Sequence, residues 1–167
     1  MKIIFLDIDG VINSVRSMVA WHSEYKASWT NGDPDSPKNK ILRNHVDSIA
    51  VKLLNRITDQ GVKYVISSSH RKLYRNLSDL RKHISDMGLT GEVVCATGHD
   101  PKGFRGNEIK EWLDGCENTV THWAILDDST DMLAEQKPNC VFTDAAEGLS
   151  YSNYEQLLKI LGTEDHG

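Results

Sequence analysis

Apolar residues follow two alternating spacings along this chain. Short continuous apolar runs, typical of buried strands, alternate with longer stretches in which apolar positions return every three or four residues, as in amphipathic helices. A repeated strand–helix order predicts a three-layer α/β fold: a five-stranded, mostly parallel sheet with helices on both faces. The predicted strands are residues 2–6, 62–66, 92–96, 121–126 and 140–143, and the predicted helices are residues 44–60, 71–87, 107–114 and 152–161.

One stretch departs from this alternation. Residues 14–43 separate the first strand from its helix and are longer than an ordinary strand-to-helix loop. They include Trp21 and Trp29 and a run rich in Asn, Asp, Gly and Pro, which is typical of turns. We predict a flap or small cap that overhangs the end of the first strand, with a tryptophan stacked on a substrate ring. The alternative is a surface loop with incidental aromatic residues.

Length and composition limit the class of protein. We expect one domain over residues 1–162 and a flexible tail over residues 163–167. The net charge of -5 argues against a dedicated nucleic-acid surface, although it allows a local basic groove. The three cysteines form no C-x-x-C pair, so we expect free thiols in a reducing cytoplasm and no zinc site. No signal peptide, membrane span or membrane partner is expected.

Polar residues follow several of the predicted strands. Asp7 and Asp9 come after the first strand, and the spacing of two puts both carboxylates on one side of an extended chain. The carboxyl ends of the strands are where open α/β sheets bind ligands. A polar turn closing a hairpin is the alternative, but Asp127 and Asp128 repeat the acidic pattern after the fourth strand. Two further polar segments belong to the same edge, residues 67–71 and residues 102–107.

Together these groups suit phosphoryl transfer. An aspartate carboxylate can attack phosphorus and form an aspartyl-phosphate. A phosphate and a carboxylate repel each other, and Mg²⁺ can bridge them through oxygen ligands. Hydroxyl and backbone N–H groups at a helix start can hold phosphate oxygens, and a cation can offset the transferring charge. A second carboxylate can protonate the leaving oxygen and then activate water.

On these motifs the chain resembles the haloacid dehalogenase (HAD) superfamily of phosphotransferases. It is most similar to the small phage and bacterial HAD domains grouped with RNA-repair "Swiss army knife" proteins. The resemblance implies a Rossmann-like fold and phosphatase chemistry, and a phage-encoded member would act in the host cytoplasm. The segments that carry it, in chain order, are residues 5–13, 66–71, 105–113, 124–128 and 144–150.

The resemblance implies a role for each acidic residue. Asp7 is the expected nucleophile and a magnesium ligand. Asp9 is the expected general acid and base, contributes its backbone carbonyl to the metal, and is followed by Gly10 at the phosphate. An aspartate two positions after the nucleophile is the phosphatase form of this motif. Asp128, with Asp127, would complete the metal site; Asp128 is the preferred direct ligand, and the tandem pair leaves the choice open.

The serine run after the second strand offers the phosphate ligand. Related sequences favour Ser68, supported by Ser69, while Ser67 remains an alternative because the strand could end at either of two residues. Simple capping of the following helix is the competing interpretation. Arg71 is expected to face either substrate or solvent.

For the cation, this subgroup indicates Arg105, whose planar guanidinium suits a phosphate. Lys102 is the competitor, and either residue could instead be a solvated surface charge. His70 and His99 lie near the same edge and are candidates for contact with substrate rather than metal ligands.

The leading functional hypothesis is a magnesium-dependent phosphomonoesterase that works through an aspartyl-phosphate. The expected substrate is a nucleotide or nucleotide-derived signal, favoured over a nucleic-acid end because the chain is acidic and backbone binding is largely electrostatic. Two alternatives remain. One is a non-catalytic protein that sequesters a phosphorylated nucleotide-type ligand, and the other is a transferase that uses an acceptor other than water. A monomer and a homodimer fit equally well.

Overall fold

Five parallel strands form the sheet of the computed structural model, which describes residues 1–21, 45–116 and 119–165. The spatial order of the strands is third, second, first, fourth, fifth. The strands are β1 (Lys2–Leu6), β2 (Val62–Ile66), β3 (Val93–Ala96), β4 (His122–Asp127) and β5 (Cys140–Phe142). The α-helices are α1 (Val15–Trp21), α2 (Ser48–Thr58), α3 (Leu77–Asp86), α4 (Arg105–Gly115) and α5 (Tyr151–Leu161), and 3₁₀ helices span Ser69–Leu73 and Ala134–Asn139.

The central strand, β1, sits where the chain changes direction across the sheet. Phe5 is paired with Val65 of β2 on one side and with Ile125 of β4 on the other, both in parallel register. The next two strands in the chain therefore lie on one side of β1, and the last two lie on the other. The carboxyl end of β1 is thus a topological switch point, the position at which open α/β sheets bind ligands. The predicted α/β class with a five-stranded parallel sheet is confirmed.

Helices cover both faces of the sheet, so its strands are continuous apolar runs. Ile4 and Leu6 face a core formed with α2, α3 and α5. Ile3 and Phe5 face a smaller core with Ile109 of α4. Side chains alternate along a strand, so the side chain of Asp7, two residues after Phe5, points to the same face of the sheet, toward α4.

The region predicted as one helix over residues 71–87 is two elements. The 3₁₀ helix ends at Leu73, and the backbone of the next residue, Tyr74, is extended (φ −114°, ψ 136°). Asn76 then caps α3, because its side chain accepts the N–H of Asp79. Local side-chain bonds of this kind compete with helix continuation. The single-helix prediction is therefore wrong, and Leu73, which the apolar face of such a helix would bury, is exposed.

The predicted flap begins with an ordinary packed helix. The N–H groups of Val15 and Arg16 donate to carbonyls of the loop after β5, and Met18 is buried. Trp21 ends α1, but its side chain lies outside the described residues, as does the rest of the predicted flap with Trp29. The flap and its stacking role stay predictions.

The longest helices in the described residues contain 11 residues. A membrane-spanning helix needs about 20. None of these helices is long and apolar enough to cross a membrane.

Candidate active site

A tight turn at the end of β1 presents the first two carboxylates. The N–H of Asp7 donates to the carbonyl of Leu126 at 3.0 Å, so the ladder with β4 continues one residue beyond the strand. The chain then turns through Gly10, which has a φ of +72°. A Cβ on Gly10 would lie 2.5 Å from Cγ of Asp128. Only glycine fits there without strain, and the close approach brings Asp128 against the turn.

The segment after β5 forms hydrogen bonds to the backbone of this turn. The hydroxyl of Thr143 donates to the carbonyl of Gly10 at 2.8 Å, and the N–H of Leu149 donates to the carbonyl of Val11 at 2.9 Å. Gly148 packs so closely that a Cβ there would be 2.8 Å from the same Val11 oxygen. The acidic turn is therefore held by contacts from a distant part of the chain.

Three carboxylates meet at the carboxyl edge of β1 and β4. One oxygen from each of Asp7, Asp127 and Asp128 lies within 4.8 Å of the others. Asp127 is fully buried, and burial together with the charge of Asp7 raises its pKa to about 7. The same two causes raise the pKa of Asp128. Carboxyl groups that resist ionisation in this way are typical of functional sites.

Arg105, the first residue of α4, places a cation among these carboxylates. Its guanidinium lies 3.2 Å from Oδ2 of Asp7 and forms an ion pair with Asp127. Burial lowers the pKa of Arg105, but the two carboxylates outweigh it and the net shift is upward, so the side chain stays charged. The carboxylate of Asp131 accepts the Arg105 N–H at 3.1 Å and so helps to cap α4. The competing Lys102 is exposed.

The serine run after β2 divides into different environments. Ser67 continues the β2 alternation onto the side of Asp7, and its hydroxyl is buried with no partner among the described residues. The hydroxyl of Ser68 instead accepts the N–H of His70 at 3.3 Å and caps the 3₁₀ helix. Ser69 is exposed. Ser68, the predicted phosphate ligand, thus caps the 3₁₀ helix, which was the competing interpretation. The hydroxyl without a partner among the described residues belongs to Ser67.

Arg71 forms a buried ion pair with Glu108 of α4. Its guanidinium donates to Oε2 of Glu108 at 2.6 Å, to the carbonyls of Ser67 and Ser68 at 2.6 and 2.8 Å, and to that of Gly98 at 3.0 Å. Both charged side chains are less than a tenth exposed, at 8% and 4%. The structure therefore places Arg71 inside the protein, whereas the sequence analysis expected it to face substrate or solvent. The pair joins the turn after β2 to the first turn of α4.

Asp9 lies on the more exposed side of the site. Its Oδ2 is 2.9 Å from Nε2 of His70, and Nδ1 of the same imidazole is 3.4 Å from Nε2 of His83. Burial raises the pKa of Asp9, but the hydrogen bond and charge of His70 outweigh it, and the net shift is downward.

A protein-family model, described as the HAD domain in Swiss Army Knife RNA repair proteins, matches residues 3–154. The match includes all five strands except Lys2 of β1, and it includes every site residue described above. The chain belongs to this HAD family. Comparisons with curated proteins and with solved structures gave no match. Membership supports a hydrolase of the phosphatase type and confirms the resemblance drawn from the motifs.

In this HAD domain the acidic cluster has the donor chemistry of a site for a small divalent cation. Mg²⁺ prefers carboxylate oxygens and needs only one or two of them. Asp127 has both oxygens engaged, one by Arg105 and the other by the N–H of Ser129 at 2.9 Å. Within the described residues, the hydrogen bond that lowers the pKa of Asp128 comes from its own backbone N–H, and its carboxylate forms no ion pair. The carboxylates of Asp7 and Asp128 thus have fewer competing contacts than that of Asp127 and are the better candidates for direct metal ligands.

Sequence reasoning about this HAD domain missed Glu108 and the pairing of His70 with Asp9. Glu108 is 37 positions from Arg71, and no local pattern links the two. The one available signal was that Glu108 follows Arg105 by three positions, so both lie on the same face of a helix that begins at the site.

We predict that Glu108→Ala lowers the free energy of unfolding by about 3–5 kcal/mol, because Arg71 then stays buried without a counter-charge. Urea unfolding measures the change. The matched control is Glu111→Ala, an exposed carboxylate on the same helix, with an expected effect within about 0.5 kcal/mol. Equal losses in the two variants would contradict the structural importance of the Arg71–Glu108 pair.

The raised pKa of Asp127 predicts a pH dependence of stability in chelator. The unfolded carboxyl titrates near about 3.9, and the folded one near about 7. Between these values the folded state binds the extra proton, so this group's contribution to stability falls as pH rises. We therefore expect Tm of Asp127→Asn, relative to the unmodified protein, to be higher at pH 8 than at pH 5. Thermal unfolding in EDTA tests this, and a Tm difference that does not change with pH would refute it.

Proposed function

We propose that this HAD domain is a magnesium-dependent phosphomonoesterase that forms an aspartyl-phosphate on Asp7. One observation carries the proposal: the Asp7 carboxylate lies at the carboxyl end of the central strand, against Arg105 and two further carboxylates, with Asp9 two residues later. This arrangement would provide a nucleophile and a cation side by side, with a proton donor two residues after the nucleophile.

The proposed reaction has two steps. In the first, an Asp7 oxygen bonds to phosphorus, the bond from phosphorus to the ester oxygen breaks, and the Asp9 carboxyl gives its proton to that leaving oxygen. In the second, the Asp9 carboxylate takes a proton from water as the water oxygen attacks the phosphorus. The bond between phosphorus and Asp7 breaks, phosphate leaves, and both carboxyl groups return to their starting states.

We assign the phosphate contacts to Arg105 and Ser67. Arg105 already lies against the Asp7 carboxylate, so it is placed to offset charge on the transferring group. The Ser67 hydroxyl supports its assignment because it is buried on the Asp7 side without a partner, and a buried hydroxyl costs free energy until it is bonded. Gly10 permits the close turn, while Lys102 and Ser69 are exposed and would contribute at the rim.

Asp7 and Asp128 would hold Mg²⁺ through their carboxylates, and Asp127 would lie next to the ion without binding it directly. The family resemblance implies the backbone carbonyl of Asp9 as a further ligand. When bound, the ion would offset the repulsion between the substrate phosphate and the Asp7 carboxylate. The raised pKa values of Asp127 and Asp128 support this proposal, because burial and the charge of Asp7 disfavour ionised carboxylates there and a bound cation would relieve that repulsion.

We propose a nucleotide-type phosphate ester as substrate and treat a nucleic-acid end as the competitor. The net charge of -5 favours a small substrate, because binding a long nucleic-acid backbone depends on many cations. The tryptophans of the predicted flap remain candidates for stacking on the base.

A phosphomonoesterase must turn over at least one phosphate ester. We expect phosphate release from at least one member of a panel of nucleoside mono- and diphosphates, cyclic and ADP-ribose-type nucleotides, and 3′- and 5′-phosphorylated oligonucleotides. Release should require Mg²⁺, stop in EDTA, and fall by at least about 1000-fold in Asp7→Asn, which removes the nucleophile. Asp86→Asn, the same change at an exposed carboxylate of α3, is the matched control.

Other results of that experiment separate the alternatives. Tight binding of one panel member without release, retained by Asp7→Asn, would replace the enzyme with a sequestering protein. Transfer of the phosphate to an added alcohol in preference to water would indicate a transferase.

A second prediction distinguishes the two buried serines. Ser67→Ala should lower kcat/KM by about 10- to 100-fold through loss of a hydrogen bond to a charged phosphate. Ser68→Ala should mainly lower the free energy of unfolding, by about 1 kcal/mol, because it removes a helix cap. Steady-state kinetics and urea unfolding on both variants measure the contrast. The opposite order of kinetic effects would return the phosphate contact to Ser68.

A further inference from the structure

The proposed proton donor, Asp9, is held by a histidine from another element. Nε2 of His70 lies 2.9 Å from Oδ2 of Asp9, across 61 positions of sequence. The Asp9 side chain is 55% exposed, whereas that of His70 is 9% exposed. An exposed carboxyl samples several rotamers unless something fixes it. The buried imidazole supplies that restraint and leaves much of the carboxyl accessible to a substrate.

His70 is itself restrained on several sides. Its backbone N–H donates to the Ser68 hydroxyl, and Nδ1 lies 3.4 Å from Nε2 of His83. The His83 ring in turn stacks on Tyr74, with ring centroids 4.8 Å apart. A side chain whose neighbours fix its own position can hold a reacting group within the narrow limits that catalysis requires.

We propose that His70 is a positioning residue, which holds the Asp9 carboxyl where, in its protonated form, it can protonate the leaving oxygen. The inference rests on the proposed phosphatase function, because it concerns the proton-transfer step of that reaction. His70 lies in the 3₁₀ helix that follows the turn with Ser67 and Ser68, so the same element that borders the phosphate also fixes the acid relative to it. A displacement of about 1 Å in such a group costs about 100-fold in rate.

This role gives a signature that a general structural role does not. An alkyl alcohol leaves poorly without a proton, whereas p-nitrophenolate leaves well as an anion. Loss of the positioned acid therefore slows an alkyl phosphate far more than p-nitrophenyl phosphate. Damage to the nucleophile or to phosphate binding would slow both esters together.

The test compares kcat for the alkyl phosphate glycerol 3-phosphate and for p-nitrophenyl phosphate, in Mg²⁺, for single and double variants. We expect His70→Ala to lower kcat by about 100-fold on the alkyl ester and by less than about 5-fold on the aryl ester, with little change in KM. In an Asp9→Asn background, His70→Ala should cause no further loss, because its effect passes through Asp9. His122→Ala, an exposed histidine at the amino end of β4, is the matched control.

His70→Gln keeps an N–H donor near the Nε2 position and should restore most of the unmodified ratio between the two esters. Equal losses on both esters, or losses that add to those of Asp9→Asn, would overturn the proposal. If His70→Ala does not fold, His70→Gln decides: a ratio like that of the unmodified protein supports the inference, and a ratio like that of Asp9→Asn overturns it. An unmodified protein that hydrolyses neither ester, nor any member of the nucleotide panel, would instead refute the phosphatase function.

Discussion

The site depends on one partly buried cation, Arg105, among three carboxylates. Asp7 and Asp127 lie side by side at the ends of neighbouring strands, and both are removed from water. Two like charges in such a place repel strongly, and each also loses its hydration. Arg105 contacts both and makes the arrangement tolerable. Burial and the charge of Asp7 still raise the pKa of Asp127, so its carboxyl resists ionisation despite the contact with Arg105.

The first turn of α4 is where the surrounding elements converge on this cation. Arg105 joins the helix to β1 and β4, and Glu108, three residues later on the same face, joins it through Arg71 to the turn after β2. Gly106 lets α4 pack closely against the segment that contains Leu133, because a Cβ on Gly106 would be 2.7 Å from the backbone nitrogen of Leu133. One helical turn thus sets the relative positions of Asp7, the turn after β2 and the acidic pair after β4.

Much of the fold and of the acidic site could be predicted from the residues alone. The continuous apolar runs are what a sheet buried on both faces requires, and the acidic pairs directly after two of them could only meet at one edge of a parallel sheet. The prediction was weakest where one residue changes the outcome. A shift of one position moves a side chain to the other face of a strand, so the choice between Ser67 and Ser68 needed the register with β1.

By itself, the sequence determined the α/β class, the parallel sheet with helices on both faces and the carboxylates that form the site, because these follow from periodicity and from residues adjacent in the chain. Only the tertiary structure decided which neighbours those residues would have. It turned Arg71 inward to Glu108, brought His70 against Asp9, and set Arg105 rather than Lys102 beside Asp7. These pairings join residues tens of positions apart, and their geometry is set by how helices pack on the sheet, which no local pattern encodes.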